Sequence, residues 1–484
     1  MHVPRFSRSV LLMLGWILPA VFPMEIALAA TTAPAAPSLS PCTIPDFHRP
    51  AQCGVIEVPE DARRSNGRRI ALYVVVVPAT EAAAVQPDPI LFLSGGPGQA
   101  ATDSVADISE GLANYNRDRD LVFIDQRGTG RSAPLNCQLF SPEHPEANLR
   151  DYLPAEAVER CAKALRGSVD IATFSFRHFA DDLEAVRKAL GYGPVNLYSF
   201  SYGTRAAQHY MRAYPKSVRT AYLGSLVPID IATPLPFARA AQLALDKTFE
   251  ACAADAPCAK SYPDLKREFS TVMARLDAGV SVTVPGSDVA APLSRGRVAE
   301  YLRYLLYTTD RAAEVPWLIH RAYLGDWTPL AGGVLDHARS FDSGFSSGLF
   351  LTLTCNEDVA FLRERDLAPE TDGTFLGDYR VRNQQAACAR WPTYRLPSGY
   401  RRAFRSDVPT LIVSGDLDPA TPLAFTTHAA PGFSRRAEII LRGQGHSGWS
   451  DCADRAYREL IKSGSVKKID TECPSTPRPP FKVE

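Results

Sequence analysis

The sequence predicts an α/β protein in which a mostly parallel sheet carries an inserted, mainly helical segment. In the first half of the chain, short apolar runs alternate with amphipathic helical segments, which is typical of parallel strands joined by helices. Helical periodicity then dominates residues 229–405, and strand signals return near the end of the chain. We therefore expect two sheet-forming parts, residues 42–228 and 406–484, with a helical cap over residues 229–405 between them.

Composition and charge place the chain among globular proteins. Its 484 residues are 45% hydrophobic and 22% charged, and 53 basic side chains balance 53 acidic ones. No basic block indicates nucleic acid as a partner, and no acidic tail indicates a strongly charged one. The sequence leaves the oligomeric state open.

The N-terminal segment has the pattern of a secretory signal peptide. Two arginines precede an apolar run over residues 10–22, and small residues follow it, so we expect residues 1–29 to be removed by cleavage after Ala29 or Ala30. An uncleaved membrane anchor is the alternative, but the run is short and prolines interrupt it. Residues 30–41 should form a flexible leader. We expect an exported protein, periplasmic or secreted, without stable membrane association.

The cysteines predict a disulfide framework. Ten cysteines is an even number in an exported chain, and they fall into near neighbours along the sequence. Nearest-neighbour pairing is the most economical choice, although spacing alone leaves the connectivity open. The predicted pairs are Cys42–Cys53, Cys137–Cys161, Cys252–Cys258, Cys355–Cys388 and Cys452–Cys473. Because the chain has neither a C-x-x-C pair nor an H-E-x-x-H motif, we expect no metal site and no cofactor.

The candidate nucleophile is Ser201. A predicted strand over residues 195–200 leads into Ser201, and Gly203 and a predicted helix over residues 204–214 follow. This order is that of a nucleophile elbow, a sharp strand-to-helix turn that exposes a serine hydroxyl above a sheet. Ser199 stands where the usual G-x-S-x-G pattern has its first glycine. The alternative is an ordinary strand-to-helix turn.

A glycine-rich loop supplies a candidate oxyanion hole. The apolar run over residues 89–93 ends in the sequence S-G-G-P-G, and glycines allow backbone N–H groups to face an anion without obstruction. We predict that the N–H groups of Gly96 and Tyr202 bind the oxyanion. A plain Gly/Pro turn is the competing interpretation.

The general base and its orienting acid are expected after later strands. In proteins with a nucleophile elbow the chain order is serine, acid, histidine, each on a loop after a strand. Asp418 follows the predicted strand over residues 408–413, and His446 follows the last predicted strand. Asp416 is the rival acid, but Gly415-x-x-Asp418 allows a turn before the carboxylate, so Asp416 should brace the turn or face solvent.

The D-Q-R-G-T-G segment, residues 125–130, follows another apolar strand. We expect Asp125 and Arg127 to pair with each other and brace this loop. Their role should be structural, because the loop precedes the nucleophile.

Taken together, these motifs resemble those of the prolyl and tripeptidyl aminopeptidase family of α/β-hydrolase serine peptidases, above all its secreted tripeptidyl type. They are the S-G-G-P-G loop, D-Q-R-G-T-G, S-Y-G-T at the elbow, G-D-L-D-P-A-T-P around Asp418, and the glycine–histidine pair that ends in His446. The resemblance implies an α/β-hydrolase fold, Ser201, Asp418 and His446 as the triad, and a cap that shapes the pocket. It also implies release of residues from a free N-terminus. Ser94, where prolyl aminopeptidases carry histidine, favours the tripeptidyl branch.

An exopeptidase of this kind needs a partner for the substrate's ammonium group. Glu357, with Asp358, is our candidate, because a buried carboxylate binds an ammonium group through charge-assisted hydrogen bonds. A solvated acidic loop is the alternative. The predicted function is therefore an exported serine exopeptidase acting on peptides, releasing di- or tripeptides or single proline or alanine residues. A carboxylesterase on the same fold is the alternative, and a catalytically silent binding protein is a third interpretation.

Overall fold

The computed structural model describes residues 39–64 and 66–483. The predicted signal peptide and residues 30–38 of the predicted leader lie outside the described residues. The first described strand begins at Ser40, where Ser40 and Pro41 pair with Cys53 and Gln52. The last two residues of the predicted leader are therefore part of the sheet.

The described strands form one large sheet and one small hairpin. Their bounds are β1 Ser40–Ile44, β2 Phe47–Pro59, β3 Arg69–Val77, β4 Ile90–Leu93, β5 Leu121–Ile124, β6 Val195–Phe200, β7 Val218–Gly224, β8 Val280–Thr283, β9 Ala290–Leu293, β10 Thr410–Gly415 and β11 Arg436–Leu441. Within the described residues, the large sheet has the order β1-β2-β3-β5-β4-β6-β7-β10-β11. The adjacent strands β5, β4, β6, β7, β10 and β11 run parallel to one another. The pairs β1–β2, β2–β3 and β3–β5 are antiparallel.

Helices alternate with these strands and build the cap. Their bounds are α1 Val105–Gly111, α2 Ala147–Arg150, α3 Ala155–Leu165, α4 Phe176–Ala189, α5 Gly203–Ala213, α6 Phe237–Ala254, α7 Ala256–Ser261, α8 Leu265–Ala278, α9 Arg295–Leu305, α10 Thr309–Ala312, α11 Val315–Tyr323, α12 Thr328–Gly344, α13 Ser347–Leu353, α14 Leu367–Thr371, α15 Tyr379–Cys388, α16 Leu423–Ala429 and α17 Asp451–Ser463.

The sheet is buried on both faces, as its uninterrupted apolar strands require. In β4, Leu91 and Leu93 belong to an apolar cluster with residues of α4 and α5. Ile90 and Phe92, which alternate with them, belong to a second cluster with residues of α1 and α17. Two helical layers therefore enclose the sheet, and the loops that follow its parallel strands meet at one edge.

The cap has its own apolar cluster. It is built mainly from α6, α8, α9, α11 and α12, and it also includes Phe140, Leu149 and Phe481, which lie outside residues 229–405. The β8–β9 hairpin was not predicted, because each strand has only four residues and the second contains Pro292.

The structure contains all five predicted disulfides. The bonded pairs are Cys42–Cys53, Cys137–Cys161, Cys252–Cys258, Cys355–Cys388 and Cys452–Cys473. Within the described residues, no helix combines the length and apolar character that a membrane span requires.

The predicted pairing of Asp125 with Arg127 is wrong. Arg127 binds Asp182 of α4 instead, through Nε at 2.7 Å and Nη2 at 2.6 Å, and both side chains are buried. Asp125 accepts hydrogen bonds from Thr102 and from the N–H of Arg131. Arg127 therefore braces the loop through a partner far away in the sequence, where spacing carries no signal.

Candidate active site

Ser201 lies at the sharp turn between β6 and α5. Its φ of 51° is in the left-handed region, which a non-glycine residue seldom occupies outside a constrained turn. Its N–H donates to Gly224 O at 2.9 Å, so the neighbouring strand holds the turn. A Cβ on Gly203 would approach Leu93 O to 2.4 Å, which explains the glycine at this position.

Ser199 fits the elbow in place of the usual glycine. Its side chain is buried and donates from Oγ to Tyr222 O at 2.9 Å in the adjacent strand β7. The hydroxyl is therefore satisfied within the sheet, and the departure from the usual pattern is accommodated.

The structure brings Ser201, His446 and Asp418 together. Nε2 of His446 lies 2.9 Å from Ser201 Oγ, and Nδ1 lies 2.8 Å from Asp418 Oδ2. The three side chains come from the loops after β6, β10 and β11, which the parallel register places at one edge of the sheet. This geometry suits a nucleophile, a base and an acid that orients the base.

Asp418 is buried and fully hydrogen-bonded. Oδ1 accepts from the N–H groups of Ala420 and Thr421, each at 2.8 Å. Oδ2 accepts from Thr421 Oγ1 at 2.6 Å and from Ser225 Oγ at 3.2 Å. Burial alone would raise the pKa of Asp418, but His446 and the Thr421 bonds hold that pKa below its ordinary value. The carboxylate therefore stays ionised opposite the imidazole.

Asp416 braces the loop, as predicted. Its Oδ1 accepts from the N–H of Gly443 at 2.8 Å and so ties the loop after β10 to the loop after β11. Among the described residues, it makes no hydrogen bond to His446 or Ser201.

The loop of His446 is anchored to the cap by Tyr307, which follows α9. The N–H of His446 donates to Tyr307 O at 2.6 Å, and the centres of the two rings are 4.9 Å apart. A Cβ on Gly445 would come within 2.4 Å of the same carbonyl oxygen. Sequence reasoning missed Tyr307, because it lies in the helical segment and matches no motif.

The two predicted oxyanion donors border the same space as Ser201. Gly96 and Tyr202 both line the cavity that contains Ser201 and His446. Neither backbone N–H donates to another described residue, so both are free for a ligand. The side chain of Tyr202 is held from behind, since its hydroxyl donates to Asp358 and its ring lies 4.7 Å from the Arg205 guanidinium.

The cavity over Ser201 lies between the sheet edge and the cap. Its volume is about 410 Å³. Aromatic side chains form much of its wall, among them Tyr152, Phe237, Tyr304, Tyr307, Phe341 and Phe345. Three arginines, Arg303, Arg311 and Arg380, also line it, and none of its described lining residues is Asp or Glu. Among the described residues, no group of His, Cys, Asp or Glu is arranged to hold a metal ion.

Neither Glu357 nor Asp358 lines this cavity. Asp358 is fully buried and binds Arg205 Nη1 at 2.9 Å, the Tyr202 hydroxyl and the N–H of Thr233 at 3.1 Å. Its oxygens are thus occupied by the protein, and it lies behind Tyr202, whose N–H is the predicted oxyanion donor. The alternative interpretation, a solvated acidic loop, is wrong, since both side chains are buried.

Glu357 is buried in the cap, apart from the cavity over Ser201. It is 2% exposed, and its Oε1 accepts from the Phe176 N–H and the Tyr394 hydroxyl, each at a long 3.4 Å. Its Oε2 has no hydrogen-bond partner among the described residues. Burial raises the pKa of Glu357 from 4.5 to about 7.

Replacing Glu357 with glutamine should stabilise the protein above neutral pH. The raised pKa means that folding favours the protonated side chain, so the wild type loses stability as the pH rises from about 4.5 through 7. The advantage of E357Q should grow from near zero at pH 4 to about 3 kcal/mol at pH 8. Urea unfolding across this pH range measures it, and a difference that does not change with pH would contradict the raised pKa. The same variant tests whether Glu357 binds the substrate's ammonium group. That role would be supported if E357Q raised the KM for peptides with a free amine and left the KM for N-blocked esters unchanged.

Family models match two parts of the chain. Residues 88–283 match the α/β-hydrolase fold model, and residues 373–473 match the model described as TAP-like protein. The first match contains Ser201 and the glycine loop, and the second contains Asp418 and His446.

Curated relatives agree with these matches. The YuaR protein of Escherichia coli K12, named as a hydrolase, is 25% identical over 86% of this chain and 87% of its own. The tripeptidyl aminopeptidase of Streptomyces lividans is 30% identical over 37% of this chain and 36% of its own, and the serine protease Hip1 of Mycobacterium tuberculosis is 26% identical over 77% of each. The chain therefore has the α/β-hydrolase fold, and it is similar to tripeptidyl aminopeptidases and to a serine protease.

Proposed function

We propose that this protein is an exported serine exopeptidase that releases short N-terminal segments, di- or tripeptides or single proline or alanine residues, from peptides. The observation that carries the proposal is the continuous chain of contacts from Asp418 through His446 to Ser201 beneath a capped cavity. The names of the tripeptidyl aminopeptidase and serine protease relatives support a peptide substrate. Five disulfides support export to an oxidising compartment.

Acylation begins at Ser201. His446 Nε2 takes the proton of the Ser201 hydroxyl as Oγ attacks the substrate carbonyl carbon, and Asp418 stabilises the imidazolium that forms. The negative charge that develops on the carbonyl oxygen is bound by the N–H groups of Gly96 and Tyr202. When the intermediate collapses, the C–N bond breaks and His446 donates its proton to the leaving amine.

Deacylation repeats the same steps with water. His446 removes a proton from water, the hydroxide attacks the acyl carbon, and the same two N–H groups bind the oxyanion. The bond between the acyl carbon and Ser201 Oγ then breaks, and His446 returns the proton to Ser201.

The cavity beneath the cap can hold a short acyl segment. Its volume of about 410 Å³ is enough for a few residues beside Ser201. This size supports the release of short segments.

A carboxylesterase is the second candidate, and the charge of the cavity favours it. No described lining residue is a carboxylate that could bind an ammonium group, whereas three arginines are present. An ester substrate needs no free amine, so this wall would not oppose its binding.

Hydrolysis of a chromogenic panel by the mature protein tests the proposal. The panel contains Pro-, Ala- and Ala-Ala-Pro-anilides, each free and N-acetylated, and a short-chain ester. We expect a free tripeptidyl anilide to be cleaved faster than its N-acetyl form, and a serine-directed fluorophosphonate to label wild-type protein but not S201A. Turnover of the ester without preference for a free amine would favour the carboxylesterase, and absence of labelling would reject both.

A further inference from the structure

Two buried arginines face the cavity from the cap and share one carboxylate. Arg303 of α9 binds Glu300 through Nε and Nη2, the latter at 2.7 Å, and Arg380 of α15 binds the same Glu300 through Nη1. The exposed fractions are 4% for Arg303, 5% for Arg380 and 0% for Glu300. Both arginines line the cavity, and Glu300 lies behind them.

This cluster carries an excess positive charge. Within the described residues, Glu300 is the one acidic group that forms an ion pair with either arginine. Burial by itself would raise the pKa of Glu300, but Arg303 and Arg380 hold it at about 2, so one negative charge faces two positive ones. A buried charge without a counterion is costly, and here the open side of the cluster is the cavity.

Arg380 has a donor to spare, and both arginines are held in place. Nη2 of Arg380 makes no hydrogen bond within the described residues, while its Nε donates to Gln384 at 3.2 Å. Its guanidinium lies over the Tyr152 ring at 4.2 Å, and that of Arg303 lies over the Phe237 ring at 4.6 Å. A planar guanidinium fixed in this way is suited to a carboxylate.

Tyr307 links the cluster to His446, the residue that contacts the reacting serine. Nη1 of Arg303 donates to the Tyr307 hydroxyl at 2.9 Å, and the Tyr307 ring contacts the ring of His446. A substrate that reaches from Ser201 past Tyr307 would therefore present its far end to the arginines.

We propose that Arg303 and Arg380 bind a carboxylate group of the substrate across the cavity from Ser201. The proposal rests on the proposed hydrolysis at Ser201, and it names the substrate class for that site. In a peptide the carboxylate has two sources, an Asp or Glu side chain in the acyl segment or the free C-terminus of a short leaving peptide. The enzyme would then select its substrates by the presence of this carboxylate.

Paired substrates test the proposal. The first arm compares tripeptidyl 4-nitroanilides that carry Glu or Gln at each of the three positions. The second compares short peptides that end in a free carboxylate or in a carboxamide. We expect wild-type kcat/KM to favour the charged member of one arm by about 10- to 100-fold, the effect of a charge-assisted hydrogen bond. The arm that shows the preference identifies the source of the carboxylate.

Variants assign the preference to the arginines. R380M should reduce the preference to about threefold or less, and R380K should retain part of it because the charge remains. The matched control is R339M, which replaces an exposed arginine of α12 that is paired with Asp336 outside the cavity, and it should keep the full preference. A wild-type preference near one in both arms, or an unchanged preference in R380M, would overturn the proposal.

Direct binding separates this proposal from the proposed function. Isothermal titration of wild-type protein with glutarate, a dicarboxylate, and with uncharged glutaramide requires no turnover. We expect glutarate to bind, glutaramide not to bind, and R380M to lose the glutarate signal. If glutarate binds but the protein shows neither hydrolysis nor fluorophosphonate labelling, the hydrolase mechanism is rejected and the anion site is kept. If the protein is labelled but neither binds glutarate nor prefers charged substrates, the anion site is rejected and the hydrolase mechanism is kept.

Discussion

Replacing Asp418 with asparagine should lower kcat by about 10⁴ while leaving the fold intact. The carboxylate accepts the N–H of His446 Nδ1, which leaves Nε2 free to take the proton of Ser201. An asparagine amide at the same place would donate to Nδ1, so the imidazole would carry its proton on Nε2 and could no longer act as the base. Binding of substrate should change little, so the loss falls on kcat and not on KM.

The chain offers a matched control in Asp416, two residues earlier on the same loop. D416N removes a charge but keeps an oxygen to accept the Gly443 N–H, and it should retain kcat within about threefold. Steady-state kinetics with the best substrate of the panel, and circular dichroism for the fold, compare the two variants. Equal losses in D416N and D418N would contradict the assignment of Asp418 as the orienting acid.

Replacing Asp182 with alanine should destabilise the protein by about 3–5 kcal/mol, because it leaves the buried Arg127 guanidinium without its counterion. Arg127 also donates from Nη1 to Glu60 O and Thr173 O, each at 2.7 Å, so it joins the D-Q-R-G-T-G loop to two other segments. The loss should therefore appear as reduced global stability and not as an altered KM.

Asp181, the neighbouring acid on α4, is the control for this second prediction. It is half-buried and accepts a hydrogen bond from the neutral Tyr214 hydroxyl at 2.7 Å, so D181A should cost only about 0.5–1.5 kcal/mol. Guanidinium unfolding followed by fluorescence measures both variants with the disulfides intact. A cost for D182A no larger than that for D181A would show that the Arg127–Asp182 pair contributes little.

Sequence alone predicted the framework of the site, because its signals are local. The apolar strands, the serine between a strand and a helix, and the acid and histidine after the last two parallel strands each depend on a few neighbouring residues. Parallel strands bring their carboxyl ends to one edge, so the order of these short motifs was enough to place Ser201, Asp418 and His446 together. The nearest-neighbour disulfides followed in the same way from short separations.

The partners of the buried charges were decided only by the tertiary structure. Arg127 binds Asp182. Asp358 binds Arg205 and does not line the cavity. Glu300 binds Arg303 of α9 and Arg380 of α15. Each such charge binds whichever opposite group the packing brings within about 4 Å, and sequence separation carries no information about that distance. The sequence by itself therefore determined which residues can perform the chemistry, while the packing of the cap against the sheet decided the charge of the cavity that the substrate meets.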